Sequence, residues 1–269
     1  MAKKKILLLG ASGFLGSKLL ETAPDNNDLV VSYREQRLKI KNKQVKIDLL
    51  NFNDLRQKIS GIKPQIIIHA ARVSSFDSDP SKAKRAMIEL AKIVESVESK
   101  LIYISSDAVF DGKKGNYKES DETNPLTDHG RAKLAAEIVI KNNLNNFIII
   151  RPSYIYDDCL NKLDKREFEL LNKIKNGEII YRFENMFRSP ILVRDLAGAI
   201  WKLAAKDFVG TIHIAGERKN IYQFYMELAE KVGIDSKLIR PNFISNVNKN
   251  IAPDTSLNTD LAAKLLGGI

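Results

Sequence analysis

Three glycines stand at a fixed spacing near the start of the chain. Gly10, Gly13 and Gly16 follow directly on the apolar run Ile6–Leu9 and precede a helical pattern. Glycines allow a tight turn and a close backbone approach to a pyrophosphate, and the N-terminus of the next helix favours an anion. This strand–turn–helix context disfavours the alternative, a turn without a ligand. The pattern therefore predicts a dinucleotide site with contacts from Gly10, Ser12, Gly13, Phe14, Leu15 and Gly16.

The end of the second predicted strand bears on the choice of dinucleotide. In NAD-binding units a carboxylate usually stands here and holds the ribose 2′-hydroxyl group. This chain has Tyr33 and Arg34 at this point instead, and Glu35 is the first carboxylate after the predicted strand. Because a guanidinium group can pair with a 2′-phosphate through two hydrogen bonds, the sequence favours NADP(H) over NAD(H), with contacts from Tyr33 and Arg34. The alternative is that Arg34 only faces water.

The elements that must position this turn alternate between apolar strands and helices. The predicted strands are Ile6–Leu9, Leu29–Tyr33, Val45–Ile47, Ile66–His69, Leu101–Ser105 and Phe147–Arg151. The predicted helices are Phe14–Thr22, Asn53–Ile59, Ala83–Val97, Gly130–Lys141, Lys165–Asn176, Arg194–Ala205 and Ile221–Val232. This alternation indicates an α/β fold, a Rossmann-type doubly wound parallel sheet with a smaller C-terminal substrate lobe. We expect residues 1–152, with 191–213 returning to them, to form the dinucleotide-binding domain, and residues 153–190 and 214–269 to form the lobe.

The basic residues give the chain a formal net charge of +10. They are densest from Arg34 to Lys46 and are otherwise spread along the sequence, which indicates a solvated basic surface. The same charge is compatible with attraction of a polyanionic cofactor and substrate. The sequence contains no recognised nucleic-acid-binding module, so we expect no nucleic-acid partner.

Few other residue types suggest chemistry. Cys159 is the single cysteine, which fits a reducing, cytoplasmic compartment, and we interpret it as a small buried hydrophobe. The three histidines, His69, His129 and His213, are widely spaced, so no metal site is expected. No apolar run approaches the length of a membrane span, so no membrane contact is expected.

A more specific pattern occupies residues 101–137 and continues in later segments. It consists of Ser105–Gly112, Glu119–Pro125, His129–Glu137, Arg151–Ser153, Arg194–Ala197, Gly210–Gly216 and Pro253–Leu257. Together these segments resemble the dTDP-4-dehydrorhamnose reductase family of the extended short-chain dehydrogenase/reductase group, which also includes a regulatory subunit of methionine adenosyltransferase. The resemblance covers nearly the whole chain and implies NADP(H)-dependent reduction of the 4-keto group of a nucleotide-linked sugar, in dTDP-rhamnose biosynthesis. It also implies cofactor contacts from Asp48, Leu49, Ala70, Ala71 and Lys133.

The family implies a proton from a tyrosine, helped by a lysine four residues later on the same helix face. A hydroxyl group from the preceding strand end supplies a second hydrogen bond to the same substrate oxygen. Here Lys133 and Ser106 stand at two of these positions, but His129 stands at the tyrosine position. An imidazolium group is a competent acid, since unperturbed histidine titrates at about pH 6.5. The catalytic candidates are therefore Ser106, His129 and Lys133.

Other departures from the family pattern surround the same site. Ala108 replaces a strand-end tyrosine, and Ala252 replaces an arginine near Pro253. Such departures favour reduced or absent chemistry. The alternative hypothesis is therefore a catalytically silent NAD(P)-binding regulatory or sensor protein of the same family, acting as a homodimer or with a partner enzyme.

Overall fold

The computed structural model describes residues 3–71, 79–159, 162–245 and 251–267. Its strands are β1 (Lys4–Leu9), β2 (Asn27–Tyr33), β3 (Lys43–Lys46), β4 (Ile66–His69), β5 (Lys100–Ile104), β6 (Phe147–Pro152), β7 (Ile155–Tyr156), β8 (Ile180–Phe183), β9 (Phe187–Arg188), β10 (Ile191–Leu192), β11 (Gly210–Ile214), β12 (Lys219–Asn220) and β13 (Ile239–Asn242). Its helices are α1 (Phe14–Glu21), α2 (Phe52–Ile62), α3 (Pro80–Ser96), α4 (Asp128–Asn143), α5 (Lys165–Lys175), α6 (Val193–Ala204), α7 (Ile221–Lys231) and α8 (Asp260–Leu266).

The chain forms two compact units. The first comprises Met1–Ser106, Thr127–Arg151 and Ala197–Ile212. The second comprises Asp107–Leu126, Pro152–Leu196 and His213–Ile269. Residues 107–126 thus group with the later part of the chain. The assignment of residues 153–190 and 214–269 to a substrate-binding lobe stays a prediction.

The central sheet has seven strands in the order β11-β6-β5-β4-β1-β2-β3. Strand β1 pairs in parallel with both β2 and β4. Parallel pairing continues from β4 through β5 to β6 on one side and from β2 to β3 on the other. Because the strand order runs outwards in both directions from β1, the chain winds twice, and the predicted Rossmann-type parallel sheet is confirmed.

Both faces of this sheet are buried. In β1, Leu7 and Leu9 belong to a core cluster with residues of α2, α3 and α4. The alternate residues Ile6 and Leu8 are 1% and 0% exposed. Side chains alternate across a strand, so these two pairs face opposite sides and each face needs a cover. The helices α1 and α6 lie against each other, since the Trp201 indole N–H donates to the carbonyl oxygen of Leu19 at 3.1 Å.

The second unit is held by its own apolar cluster. Its strands form short pairs: β8 with β13 and β7 with β10 in parallel, and β9 with β12 antiparallel. Residues of α5 and α7 pack on the β8–β13 pair around Phe224, Tyr225 and Leu228. Two-stranded pairs are marginal in water, so the β8–β13 pair depends on packing of the kind that this cluster provides.

One buried carboxylate joins distant segments of the second unit. Asp107 accepts hydrogen bonds from the hydroxyl groups of Ser153 and Thr255, each at 2.7 Å. The donors lie 46 and 148 residues further along the chain. Nearby, the N–H of Asp254 donates to the carbonyl oxygen of Gly112 at 3.0 Å. The segment after β5, the residue after β6 and the segment 251–257 are therefore fixed to one another.

Cys159 is exposed, so the interpretation of this residue as a small buried hydrophobe is wrong. It lies in a polar loop after β7, where its backbone N–H donates to Asp157 Oδ1 at 3.0 Å. Within the described ranges, no helix combines the length and the apolar character needed to cross a membrane. The same ranges bring together no group of three or more His, Cys, Asp and Glu side chains that could hold a metal ion.

Candidate functional site

The glycine turn joins β1 to α1, and backbone hydrogen bonds set its shape. Gly10 adopts a left-handed φ of +88°. The N–H of Gly13 donates to the carbonyl oxygen of Gly10 at 3.0 Å. The N–H of Gly10 donates to Ser32 Oγ on β2 at 3.3 Å. Gly13 is the N-cap of α1 and has no side chain that could cover the N–H groups of the first turn. The turn therefore presents the donors of a helix N-terminus, as an anion site requires.

The turn leaves no room for larger residues at two of its glycines. A Cβ atom at Gly16 would lie 1.9 Å from the carbonyl oxygen of Gly10. A Cβ atom at Gly10 would lie 2.4 Å from the Cα atom of Ala71. The chain after β4 follows the turn closely, since the N–H of Ala70 donates to the carbonyl oxygen of Leu9 at 3.0 Å. The structure thus brings the glycine turn and Ala70–Ala71 together, and this backbone cradle fits the pyrophosphate of a dinucleotide.

Arg34 lies just beyond β2 and its side chain is exposed. The guanidinium group donates to Glu35 Oε1 from Nε at 3.2 Å and from Nη2 at 2.5 Å. The basic loop that follows is held by Gln44, whose side-chain amide forms two 2.8 Å hydrogen bonds with the backbone of Leu38. Tyr33 and Arg34 lie at the carboxyl end of β2. The Glu35 carboxylate would compete there with a ligand for the Arg34 guanidinium group.

Asp48 and Leu49 follow β3 at the same edge of the sheet. The Asp48 carboxylate accepts the backbone N–H of Leu50 at 3.0 Å, which shapes the chain before α2. In a parallel sheet the carboxyl ends of neighbouring strands share one edge, where ligands bind. The predicted cofactor contacts after β1, β2, β3 and β4 are therefore gathered along one edge of the first unit.

Lys133 is 7% exposed although it carries a charge. Its Nζ donates to the carbonyl oxygen of Ile104, the last residue of β5, at 3.3 Å. The same atom lies 5.2 Å from the centre of the Tyr103 ring, an attractive position for a cation. The ammonium group is thereby fixed at the carboxyl end of β5, and Ser106 follows Ile104 by two residues.

His129 lies one helical turn before Lys133 on α4. The helix begins at Asp128 because the Thr127 hydroxyl accepts the N–H of Gly130 at 3.1 Å. It therefore starts two residues earlier than the predicted Gly130, and half-buried His129 belongs to its first turn. Residues four apart share one helix face. Ser106, His129 and Lys133 thus lie at the end of β5 and on the first two turns of α4.

A buried ion pair holds α4 against the strands. Arg151 on β6 donates to Glu137 from Nε at 2.9 Å and from Nη2 at 2.6 Å. The Ser105 hydroxyl donates to the same carboxylate at 2.5 Å. Burial by itself raises the pKa of Glu137, but the hydrogen bonds and charge of Arg151 outweigh it and hold that pKa below its ordinary value. Glu137, one turn after Lys133, is therefore a charged anchor for the helix.

A cavity lies beside Lys133 within the first unit. Its volume is about 50 Å³. Its polar lining consists of Lys133, Tyr103 and His69, and its other lining residues are Ala, Leu and Met. Residue type and spacing alone predict no role for His69 or Tyr103. The available signal was a histidine at the end of the otherwise apolar run Ile66–His69.

Comparison with known proteins finds relatives along nearly the whole chain. The family described as RmlD substrate binding domain matches residues 4–260. Methionine adenosyltransferase 2 subunit beta of Pongo abelii is 30% identical over 253 residues, which cover 88% of this chain and 75% of that protein. The dTDP-4-dehydrorhamnose reductase of Aggregatibacter actinomycetemcomitans is 29% identical over 217 residues, which cover 77% of this chain and 69% of that protein.

Solved structures agree with these matches. A hypothetical dTDP-4-dehydrorhamnose reductase from Sulfolobus tokodaii has a TM-score of 0.84 and 28% identity, covering 98% of this chain and 95% of that chain. The dTDP-4-dehydrorhamnose reductase of Bacillus anthracis str. Ames, solved in complex with NADP, has a TM-score of 0.80 and 23% identity, covering 99% and 94%. The fold described above is thus shared with these proteins over nearly its full length.

Proposed function

The chain belongs to the RmlD substrate binding domain family, that of the dTDP-4-dehydrorhamnose reductases, and from this premise we propose that it is an NADP(H)-dependent reductase. The proposed substrate is the 4-keto group of a nucleotide-linked sugar, as in dTDP-rhamnose biosynthesis. The observation that carries the proposal is the position of Lys133, whose Nζ is held 3.3 Å from the Ile104 carbonyl oxygen at the end of β5. His129 precedes it by one turn, and Ser106 follows Ile104 by two residues.

Reduction of a ketone needs a hydride at carbon and a proton at oxygen. When bound at the glycine turn, NADPH would supply the hydride. The Ser106 hydroxyl donates a hydrogen bond to the ketone oxygen, and protonated His129 gives its proton to that oxygen as the oxygen gains an electron pair. Lys133 would hold a hydroxyl group of the ribose when the cofactor is bound. The reaction leaves an alcohol, the oxidised cofactor and a neutral His129.

The histidine gives this reaction a pH dependence that a tyrosine would not. An ordinary histidine loses its proton at about pH 6.5, whereas an ordinary tyrosine keeps its proton up to about pH 10. We therefore expect NADPH oxidation by the wild-type protein to fall as the pH rises through neutrality. In His129→Tyr the rate should persist to higher pH.

The test measures NADPH oxidation with dTDP-4-keto sugars between about pH 5 and about pH 8. The wild-type protein, His129→Tyr and Lys133→Ala are compared, and Lys133→Ala is the control without the ammonium group. A wild-type rate above that control, with the expected loss towards high pH, supports the reductase. A wild-type rate equal to that of Lys133→Ala at every pH contradicts it.

The preference for NADP(H) is proposed on the position of Arg34. A 2′-phosphate carries more charge than the Glu35 carboxylate and accepts two hydrogen bonds from a guanidinium group, so it should displace Glu35. Arg34→Ala should weaken NADPH binding about tenfold or more, because hydrogen bonds to charged groups contribute about 1.5–3 kcal/mol. NADH binding should change little. Calorimetry measures the affinity of wild type, Arg34→Ala and Glu35→Gln for NADPH and for NADH. If Arg34→Ala lost the same affinity for both cofactors, the proposed preference for NADP(H) would be refuted.

A second function is favoured by one observation, the identity of 30% to a protein named methionine adenosyltransferase 2 subunit beta. In this alternative the chain binds NAD(P) without turnover and acts on a partner enzyme, or as a homodimer. It predicts dinucleotide binding by calorimetry, no NADPH oxidation by wild type, and oxidation by His129→Tyr alone. The single exposed cysteine fits a reducing compartment, so either function is proposed for the cytoplasm.

A further inference from the structure

The segment that joins β2 to β3 carries a row of cations. Residues 36–47 include five basic side chains and no carboxylate. Four of the basic residues stand at every second position and are exposed, whereas the residues between them are half-buried. This basic row consists of Arg37, Lys39, Lys41 and Lys43. The alternation turns all four side chains to solvent, so the row concentrates positive charge on one stretch of the surface.

The protein itself does not neutralise this charge. In the described part of the chain no side chain of the basic row pairs with a carboxylate, and the ion pair of this segment is that of Arg34 with Glu35. On the helix that follows β3, by contrast, Lys58 is paired with Asp54. Neighbouring like charges repel one another. An acidic ligand would therefore find the four cations of the row available.

The basic row is held in place beside β3. The Gln44 side chain accepts the backbone N–H of Leu38 and donates to the carbonyl oxygen of the same residue, each at 2.8 Å. The N–H of Ile40 donates to that carbonyl oxygen at 3.0 Å. The segment thus folds back on the strand that it precedes. Because its backbone is already fixed, a ligand pays little to order it.

The neighbouring strand β3 ends the central sheet and has an open edge. Among the described strands its partner is β2. The N–H of Ile47 donates to the carbonyl oxygen of Tyr33 on β2 at 2.9 Å. Backbone groups of successive strand residues point to opposite sides. Gln44 and Lys46 therefore direct their N–H and C=O groups away from β2, where an extended segment can add to the sheet.

The composition of this surface selects among possible occupants. A second copy of the chain would bring an identical basic row to the contact, and like charges so placed repel each other. Nucleic-acid sites that follow a flexible strand use aromatic side chains on which bases stack, and residues 34–46 contain no aromatic residue. An extended peptide with carboxylates at every second residue matches both the cations and the backbone edge.

We propose that an acidic, extended segment of a partner protein binds here and adds a strand to the outer edge of β3. Its backbone bonds with the outward groups of Gln44 and Lys46, and its carboxylates pair with the basic row. Backbone hydrogen bonds supply affinity in such complexes, and opposite charges supply specificity and rapid association. The proposal does not depend on whether the protein reduces a substrate, since the surface consists of residues outside the catalytic candidates.

Binding of labelled peptides to the full chain tests the proposal by fluorescence anisotropy. The first probe is a peptide of about eight residues, an ordinary strand length, in which glutamate alternates with threonine. The second replaces each glutamate by glutamine, and the third is a single-stranded DNA oligonucleotide of the same charge. We expect the glutamate peptide to bind more tightly than either of the others, and its binding to weaken as salt is added.

One pair of variants tests the charge of the row. The triple variant Lys39→Glu/Lys41→Glu/Lys43→Glu reverses three exposed cations. The matched control reverses three exposed lysines elsewhere and changes the net charge by the same amount; it is Lys84→Glu/Lys206→Glu/Lys237→Glu. The first should weaken binding of the glutamate peptide about tenfold or more, and the control should keep most of the wild-type affinity.

A second pair tests the strand edge. Lys46→Pro removes the outward N–H of residue 46 while the hydrogen bonds to β2 remain, and Lys46→Gln removes the same charge but keeps the N–H. Lys46→Pro should bind the glutamate peptide at least about threefold more weakly than Lys46→Gln, because one hydrogen bond is lost. Hydrogen exchange of the β3 amides, which the peptide should slow in wild type, measures the same contact without a substitution.

The contrary outcomes name the other occupants. Tighter binding of the oligonucleotide would assign the surface to nucleic acid, and self-association of the wild type that Lys46→Pro abolishes would assign it to a second copy. Equal binding of the glutamine peptide would remove the role of charge. If the triple variant lost as much affinity for NADPH as for the peptide, the row would serve the cofactor. Each of these results overturns the proposal.

Discussion

Replacing Arg151 by methionine would remove a guanidinium group from β6 while keeping a long side chain. Two hydrogen bonds to Glu137, at 2.9 and 2.6 Å, would be lost. Hydrogen bonds to charged groups contribute about 1.5–3 kcal/mol each, which gives about 3–6 kcal/mol for the two. Removing one partner of a buried ion pair costs about 3–5 kcal/mol. We therefore expect Arg151→Met to lower the free energy of unfolding by about 3–5 kcal/mol at pH 7.

The loss should depend on pH with a definite sign. In the wild type the pKa of Glu137 is held below its ordinary value of 4.5. Its contribution to stability is therefore present above pH 4.5 and is lost as the pH falls through the native pKa. Without Arg151, burial raises the pKa of this carboxyl group, and the variant gains stability as it takes up a proton. The difference between wild type and variant should therefore shrink as the pH is lowered from 7 towards 4.

Urea unfolding followed by circular dichroism measures these differences. The double variant Glu137→Leu/Arg151→Met should lie close to the wild type, because an apolar pair removes both buried charges together. Lys141→Met is the control, since its ammonium group is 3.6 Å from Glu137 and its side chain is 41% exposed. It should change the free energy by less than about 1 kcal/mol. If Arg151→Met cost no more than this control, or if the double variant were as unstable as the single one, the argument from the buried pair would be refuted.

Further predictions concern a second buried carboxylate and two glycines. Burial, together with the charge of a neighbouring aspartate, raises the pKa of Glu167 above its ordinary value of 4.5, although the hydrogen bond from Tyr154 opposes this shift. The contribution of Glu167 to stability is therefore present below pH 4.5 and is lost as the pH rises through the native pKa. Glu167→Gln should remove this dependence in urea unfolding between about pH 4 and about pH 8, and an unchanged pH profile would contradict the assignment. Gly16→Ala would place a Cβ atom 1.9 Å from the carbonyl oxygen of Gly10, and it should abolish NADPH binding in calorimetry and lower the free energy of unfolding by about 1–3 kcal/mol. A Cβ atom at Gly198 in α6 would meet no atom within 4 Å, so Gly198→Ala should raise the free energy of unfolding by about 0.5–1 kcal/mol. If Gly198→Ala instead lowered that free energy as much as Gly16→Ala, the space around each glycine would not explain the effects of the two substitutions.

The strands of the central sheet could be predicted because strands buried on both faces consist almost entirely of apolar residues. The run Ile66–His69 matches β4 at both ends, and Leu29–Tyr33 lies inside β2 (Asn27–Tyr33). A strand covered on both faces is nearly all apolar, and few other structures produce such a run. The start of α4 was missed because Thr127 caps the helix before the apolar pattern becomes visible.

The short strands of the second unit could not be predicted in the same way. Strands such as β7 and β9 have two residues each, too few for an alternating pattern. Gly10 could be named as a site residue from the glycine spacing, and Ser106 and Lys133 from the family resemblance; their roles stay predictions. The placement of His69 and Tyr103 at the cavity could not be predicted, because it depends on strand register, which a single sequence does not display.

The hydrogen bonds of Asp107 have a consequence for the order in which the second unit forms. This carboxylate needs Thr255, 148 residues later, before its partners are complete. Closing so long a loop is slow, and contacts of this kind form late in folding. A growing chain would therefore hold the loop around Asp107 unfinished until residues 251–257 had been made. The first unit has a late contact of its own, since Trp201 of α6 follows Leu19 of α1 by 182 residues, but its last segment ends at Ile212. The second unit should therefore acquire its full protection from hydrogen exchange later during synthesis than the first.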